Sequence, residues 1–374
     1  MLPLLFAGLA LVVFRAVWPA EQILQSSDFN IGVISIYKRI FPADWFSGSW
    51  TSTGMLGVTA SRPFNLTNLL IVMMPVEVFC DWGYAIHLVI ASAAFAGFLR
   101  LRGISLPAAL LGTLAAFWLG SNLTLIFPGH LYKYGVLTGA ALFLYFWERA
   151  LAAGRPQWFV LAGGAFGLMF LEQQDLAVFC AVLLGPYALW RLLGTPVVTA
   201  GVWRHKAVFA AVPALLLMSD AYFKARATFI DPVAGSRTPQ ESWDWATQWS
   251  WPPSETVDFI APGYYGLRSG EPSGEYWGEM GRSPEWTKTR QGFRNFKLES
   301  QYLGMIPMGL ALLAMVLAFA PFARGAERRG DLRFWAVATL LLFVLSCGKY
   351  LPLYRLFYEL PLMASIRNPN KFLQ

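Results

Sequence analysis

Val136–Asp175 reads VLTGAALFLYFWERALAAGRPQWFVLAGGAFGLMFLEQQD, and its order decides the fold. An apolar run is followed by a short turn containing Arg149 and Arg155. A second apolar run then ends in a turn carrying Glu172 and Asp175. Runs of roughly 20 apolar residues cross the hydrocarbon core of a bilayer. Short connections rich in Lys and Arg stay on the cytoplasmic side. The quoted stretch is therefore a transmembrane hairpin, basic at one membrane face and acidic at the other.

The alternation continues in both directions. Further basic connections hold Arg100 and Arg102; Arg191, Arg204 and Lys206; and Arg324, Arg328, Arg329 and Arg333. Apolar runs near 1–19, 84–101, 105–126, 136–151, 157–171, 174–193, 206–224, 302–322 and 333–347 predict about nine spans. With the N-terminus cytoplasmic, every basic connection falls inside. The expectation is an all-α, polytopic integral membrane protein, forming one domain over 1–374. Its outer parts are a first loop (20–83), a large loop (225–300) and a tail (348–374). Ile31–Phe41 and Phe64–Cys80 in the first loop predict short interfacial helices.

Composition agrees. Of 374 residues, 56% are hydrophobic and 14% charged, against about 25% charged in soluble domains. The net charge of +7 resides largely in the basic connections, where it sets topology and meets anionic headgroups, so no nucleic-acid partner is expected. Cys80, Cys180 and Cys347 stand apart in or beside apolar runs, with neither disulfide-framework nor metal-ligand spacing. The run Met1–Pro19 lacks a basic n-region, and Trp18-Pro19 is a poor cleavage site, so it reads as a retained span. The motifs GxxxxGK[ST], GxGxxG, HExxH and GxSxG do not occur, which argues against the standard nucleotide pumps, zinc proteases and serine hydrolases.

The chemistry-bearing residues lie in the outer segments. Asp28, in Gln25-Ser-Ser-Asp-Phe-Asn30, is a candidate general base or divalent-cation ligand, or else a helix cap before an apolar run. Glu172 and Asp175 face a cavity, metal or acceptor, or simply give a tight turn its polarity. In Phe127–Gly135 (FPGHLYKYG), His130 and Lys133 can hold a phosphate, with Gly129 letting the backbone approach. They equally suit an interfacial histidine and a snorkelling lysine. Arg367 and Lys371 in the tail are either phosphate ligands or juxtamembrane charges. Trp243, Trp245, Trp249 and Trp251 crowd the large loop. There Tyr264, Tyr265 and Trp277 suit stacking on a sugar ring, or packing at the membrane interface. Asn65-Leu-Thr and Asn122-Leu-Thr match the glycosylation sequon, a pattern short enough to recur by chance.

Several of these segments, in order, resemble the bacterial YfhO-like membrane proteins of the GT-C glycosyltransferase superfamily. They are Ser27–Asn30, Pro63-Phe-Asn65, Gly129–Lys133, Trp251–Glu255 running on to Ala261–Gly266, Tyr276-Trp-Gly278, Tyr302-Leu-Gly304 and Arg367–Phe372. The resemblance covers nearly the whole chain. It implies a GT-C-like fold in a bacterial inner membrane, with sugar transfer on the extracytoplasmic side from a polyprenyl-phosphate-linked donor to a cell-envelope acceptor. It also implies that Asp28 is the general base or holds a divalent cation such as Mg or Mn. Family members run on past the Arg-x-Pro-x-Lys-Phe stretch, so a C-terminally incomplete sequence is expected. The rival expectations are a lipid or solute transporter or flippase, which calls for charged sites at mid-membrane, and a non-catalytic membrane assembly protein.

Overall fold

The computed structural model describes residues 2–19, 21–47, 49–51, 58–60, 64–194, 197–225, 237–272, 274–320 and 326–374. Pro63, Arg324 and residues 226–236 of the large loop lie outside them. Among the described residues, helices predominate. In chain order these are α1 (Leu2–Val13), α2 (Ile31–Ser47), α3 (Leu66–Met73), α4 (Val76–Leu101), α5 (Leu106–Phe117) and α6 (Gly120–Leu123). Then come α7 (Leu131–Ala153), α8 (Pro156–Glu172), α9 (Gln174–Leu193) and α10 (Val197–Ala225). The last are α11 (Pro239–Thr247), α12 (Trp286–Thr289), α13 (Met305–Phe319), α14 (Ala326–Ser346) and α15 (Leu353–Tyr358). Between α2 and α3, β1 (Ser49–Thr51) and β2 (Val58–Ala60) pair antiparallel, Trp50 opposite Thr59.

Helices occupy all nine predicted span positions. Among the described residues, four stretches are long and apolar enough to cross a membrane: Val76–Leu101, Leu106–Ile126, Leu131–Ala153 and Gln174–Leu193. Leu2–Val13, Ala207–Phe223 and Met305–Phe319 are apolar but shorter. Several boundaries differ from the sequence reading: α7, α10 and α14 begin before the predicted spans at 136, 206 and 333, so Arg204 and Lys206 lie within α10 and Arg328, Arg329 and Arg333 within α14, not in connections. The apolar stretch Phe64–Cys80 is not one interfacial helix: it breaks at Pro75, and its second half opens α4, eight residues before the predicted span at 84. Pro fixes its own φ and pushes the preceding residue out of helical geometry; Met74 is accordingly extended. The run at 105–126 is also interrupted after Phe117, where Leu119 is extended.

The chain divides into two compact units, 1–117 with 126–232 and 118–125 with 233–374. In the first, α8 packs between α7 and α10, and small residues set the spacing. A Cβ on Gly163 would stand 1.9 Å from the Ala210 carbonyl oxygen, and one on Gly167 2.7 Å from Leu217 Cβ. This Gly-x-x-x-Gly face lets two backbones close on each other where lipid offers no hydrophobic drive for association. At the basic end, the buried Glu148 carboxylate of α7 accepts from Arg191 Nε (2.7 Å), Tyr187 Oη (2.5 Å) and Arg102 Nη1 (3.4 Å). One carboxylate thereby ties α4, α7 and α9.

The second unit has its own core of Trp251, Phe259, Tyr276, Met280 and Cys347. The large loop is thus a packed structure. The Glu255 carboxylate is wholly buried and accepts from Tyr276 Oη (2.8 Å) and Glu279 N (2.7 Å). Lys297 Nζ donates to Asp258, also buried, and lies 5.2 Å from the centre of the Tyr276 ring. Burial raises Glu255 above the usual carboxylate range and holds the Lys349 ammonium below its ordinary value. The tail returns onto α11: Asn368 N donates to Ala246 O (3.0 Å) and Asn370 N to Trp249 O (3.1 Å).

Candidate functional site

In the first unit, two segments 100 residues apart in sequence are joined through their backbones. Ser27 N donates to Phe127 O (3.4 Å), Asp28 N to Pro128 O (3.1 Å), and Ser27 Oγ to the same Pro128 carbonyl (3.1 Å). The junction depends on Gly129. Its φ is +90°, and a Cβ there would meet Ser26 Oγ at 2.6 Å and Phe29 N at 2.8 Å. Only glycine combines that backbone angle with so close an approach. Phe29 locks the segment from the other side, its buried ring edge-on to Tyr37 and Tyr132, both at 5.5 Å.

Asp28 itself is exposed at this junction. It does not cap α2. Asn30 does, with Oδ1 accepting from Val33 N (3.1 Å), which leaves the Asp28 carboxylate outside the helix's own hydrogen bonds. His130 immediately precedes α7, and Lys133 lies buried in its first turn, held by contacts within the protein. The structure therefore brings Asp28, His130 and Lys133 to one junction by chain path.

The LEQQD turn separates its two acids. Asp175 is part exposed in the first turn of α9, where Oδ1 accepts from Leu176 N (2.7 Å). Glu172 turns inward, 7% exposed, against the bare Cα of Gly135. Its Oε1 accepts from Thr67 N (3.0 Å), and its Oε2 is buried with no hydrogen-bond partner among the described residues. Thr67 Oγ1 lies 3.1 Å from His87 Nε2, and His87 Nδ1 lies 3.1 Å from Thr138 Oγ1. His87 is fully buried, eleven residues into α4, or about 17 Å along its axis. Sequence reasoning missed His87. A lone histidine in an apolar run carries no local signal, and its partners are on α3 and α7.

The two sequons are structural. Asn65 is 1% exposed: Oδ1 accepts from Asn68 N (2.7 Å) to cap α3, and Nδ2 donates to Leu171 O (2.8 Å). Asn122 is buried in α6.

The remaining candidates belong to the second unit. The Arg367 guanidinium lies over Trp245 and Trp249, 5.4 Å from each ring centre, and Arg237 covers Trp245 at 4.5 Å. Such stacking fixes a guanidinium plane while leaving its edge donors available. Lys371 is buried among protein contacts. Tyr265 packs on the core, whereas Tyr264 (58%) and Trp277 (57%) are exposed. They are carried on neighbouring segments that Trp277 N joins by donating to Tyr265 O (2.9 Å).

Among the described residues, no three His, Cys, Asp or Glu side chains gather as a metal-binding group. The oxygens open to a cation at the Asp28 junction are one exposed carboxylate and the Ser26 and Ser27 hydroxyls, since the Pro128 carbonyl already accepts two hydrogen bonds. That all-oxygen, single-carboxylate set fits a magnesium ion shared with a substrate phosphate, not an all-protein cage. No family model matches the chain, and no curated protein or solved structure is significantly similar to it.

Proposed function

We propose that the protein is a membrane glycosyltransferase that takes its sugar from a polyprenyl-phosphate-linked donor and acts at the extracytoplasmic face of a bacterial inner membrane, within a GT-C-like, nine-span fold. One observation carries this reading. The Asp28 segment is fastened by backbone hydrogen bonds to the Phe127–Gly129 turn that leads into His130 and Lys133. A base and a phosphate-holding cation on one junction are the minimum that such a transfer needs.

In the proposed step, an acceptor hydroxyl oxygen attacks the anomeric carbon and the carbon–oxygen bond to the donor phosphate breaks. The phosphate leaves with the bond's electron pair, and the hydroxyl proton passes to the Asp28 carboxylate. Lys133, with His130 beside it in the chain, stabilises the departing anion. Arg367, stacked on Trp245 and Trp249, is a second anion holder in its own unit, and Tyr264 and Trp277 offer faces for the acceptor sugar. A bound divalent cation would add charge neutralisation at the donor phosphate.

A second reading, a lipid or solute transporter, is favoured by the buried Glu172–Thr67–His87–Thr138 chain of contacts, because polar groups deep among spanning helices commonly mark a translocation path. Sealed proteoliposomes loaded with an acceptor glycan and given labelled polyprenyl-phosphate sugars separate the two. Label in the acceptor, lost with Asp28→Asn, supports the transferase. Label carried across the membrane without a glycosylated product refutes it and supports transport.

A further inference from the structure

The helix α15 follows α14 after residues 347–352 and packs on its end. Its inward face is apolar, and its outward face carries leucine beside the charged Arg355. Tyr354 and Phe357 turn inward with rings 5.5 Å apart, and Phe357 meets Phe372 at 5.4 Å. The outward face carries Leu356, 65% exposed, and the turn that follows adds Leu360 (54%) and Leu362 (49%). Leu362 has φ +70°, a left-handed conformation that leucine adopts only under strain. The chain accepts that strain while presenting a leucine outward.

The rim of this apolar face has the composition of a membrane interface. The Arg355 guanidinium lies 4.8 Å from the centre of the Trp243 ring and 5.6 Å from that of Tyr358, and it also pairs with Glu359 at 2.9 Å. Trp243 and Tyr358 meet edge to face at 5.0 Å. Amphipathic aromatics and snorkelling arginines gather at headgroup level. α14 itself also exposes Val337, Leu340 and Leu341. It packs against the apolar helix α13, whose Ile306, Leu310, Leu313 and Val316 are exposed, and α15 packs on α14 in turn.

We propose that α15 and the Leu360–Leu362 turn form a wedge seated in the bilayer leaflet at the end of α14. Leu356, Leu360 and Leu362 enter the acyl boundary, and Arg355, Trp243 and Tyr358 lie among the headgroups. The wedge holds the packed large-loop unit against the membrane surface, whatever reaction the protein performs.

Nitroxide labels at Leu356→Cys and Leu360→Cys, with Thr287→Cys as an exposed reference on α12, test this in the whole chain. The background is Cys180→Ala, since Cys80 and Cys347 are buried, and the vesicles contain phosphatidylcholine and phosphatidylglycerol. Both leucine sites are expected to collide several-fold more with oxygen than with a water-soluble nickel chelate, and Thr287 the reverse. Nickel access at either leucine site equal to that at Thr287 overturns the wedge by showing a water-facing patch. Exclusion of both reagents at either site overturns it by showing a protein partner or a second copy there. If Leu356→Cys does not fold, Leu360→Cys alone decides.

Discussion

The first unit buries two glutamates at opposite ends of its central helices, and they are treated differently. Glu148 is 4% exposed and meets Arg191, Arg102 and Tyr187, so its charge is matched and both oxygens are engaged. Glu172 is 7% exposed and faces the first residues of α3, accepting from Thr67 N with the Thr67 hydroxyl and Leu66 N also directed at it, and among the described residues none of its hydrogen-bond partners is a cation. A buried carboxylate without a cation is costly. Glu148 is explained by the helices it ties together. Glu172 joins the end of α8 to the start of α3 through neutral donors alone. The contrast also revises the division of labour between the two faces. The basic connections do more than orient the chain, because Arg102 and Arg191 are structural partners of a carboxylate.

The largest expected effect is at Glu148. Glu148→Ala leaves two arginines facing a buried void and is expected to cost about 3–5 kcal/mol, the scale of a broken buried pair. Thermal unfolding in detergent reads this, and a loss below 1 kcal/mol would dissolve the contrast. Next is Gly135→Ala. Its Cβ would stand 2.3 Å from Glu172 Cδ, and overpacking of that kind costs about 1–3 kcal/mol. The double variant with Glu172→Ala should recover much of the loss, which a double-mutant cycle measures. Glu172→Gln keeps the acceptor for Thr67 N–H and is expected to change stability by less than about 1 kcal/mol. A loss matching that of Glu148→Ala would make Glu172 structural too.

The smallest effect belongs to the second unit. Burial raises Glu255 above its unfolded value, so the folded state binds more protons than the unfolded state between the two values. Stability should therefore fall as pH rises through that window, and Glu255→Gln should flatten the slope. Denaturant midpoints measured across mildly acidic pH test the sign.

Most of the helix positions were legible, because long apolar runs bounded by Arg, Gly and Pro leave few alternatives. The Asp28 junction was half legible. Pro128-Gly129 announced a close approach, but only the fold shows that Ser26–Phe29 is what approaches. Asn30, not Asp28, caps α2, since two polar residues flanking Phe29 compete for one capping position and the backbone decides between them. Glu148 was hidden inside a connection read for its arginines, and its partners stand 46 and 43 residues away. His87, Thr67 and Thr138 meet only once α3, α4 and α7 are assembled, and no local spacing encodes that. The large loop read as a membrane-lying aromatic segment, yet its tryptophans and tyrosines build a core of their own around Glu255 and Lys297.

The central claim is that the carboxylate at the Asp28 junction acts on substrate while the paired Glu148 only holds helices. The measurement that tests it most directly is the initial rate of sugar transfer from polyprenyl-phosphate sugars by Asp28→Asn in proteoliposomes, with unfolding temperature recorded on the same sample. Loss of a general base predicts a rate at least about 100-fold lower, with the unfolding temperature unchanged because Asp28 is exposed and caps nothing. Transfer at the parent rate by folded Asp28→Asn protein would contradict the account.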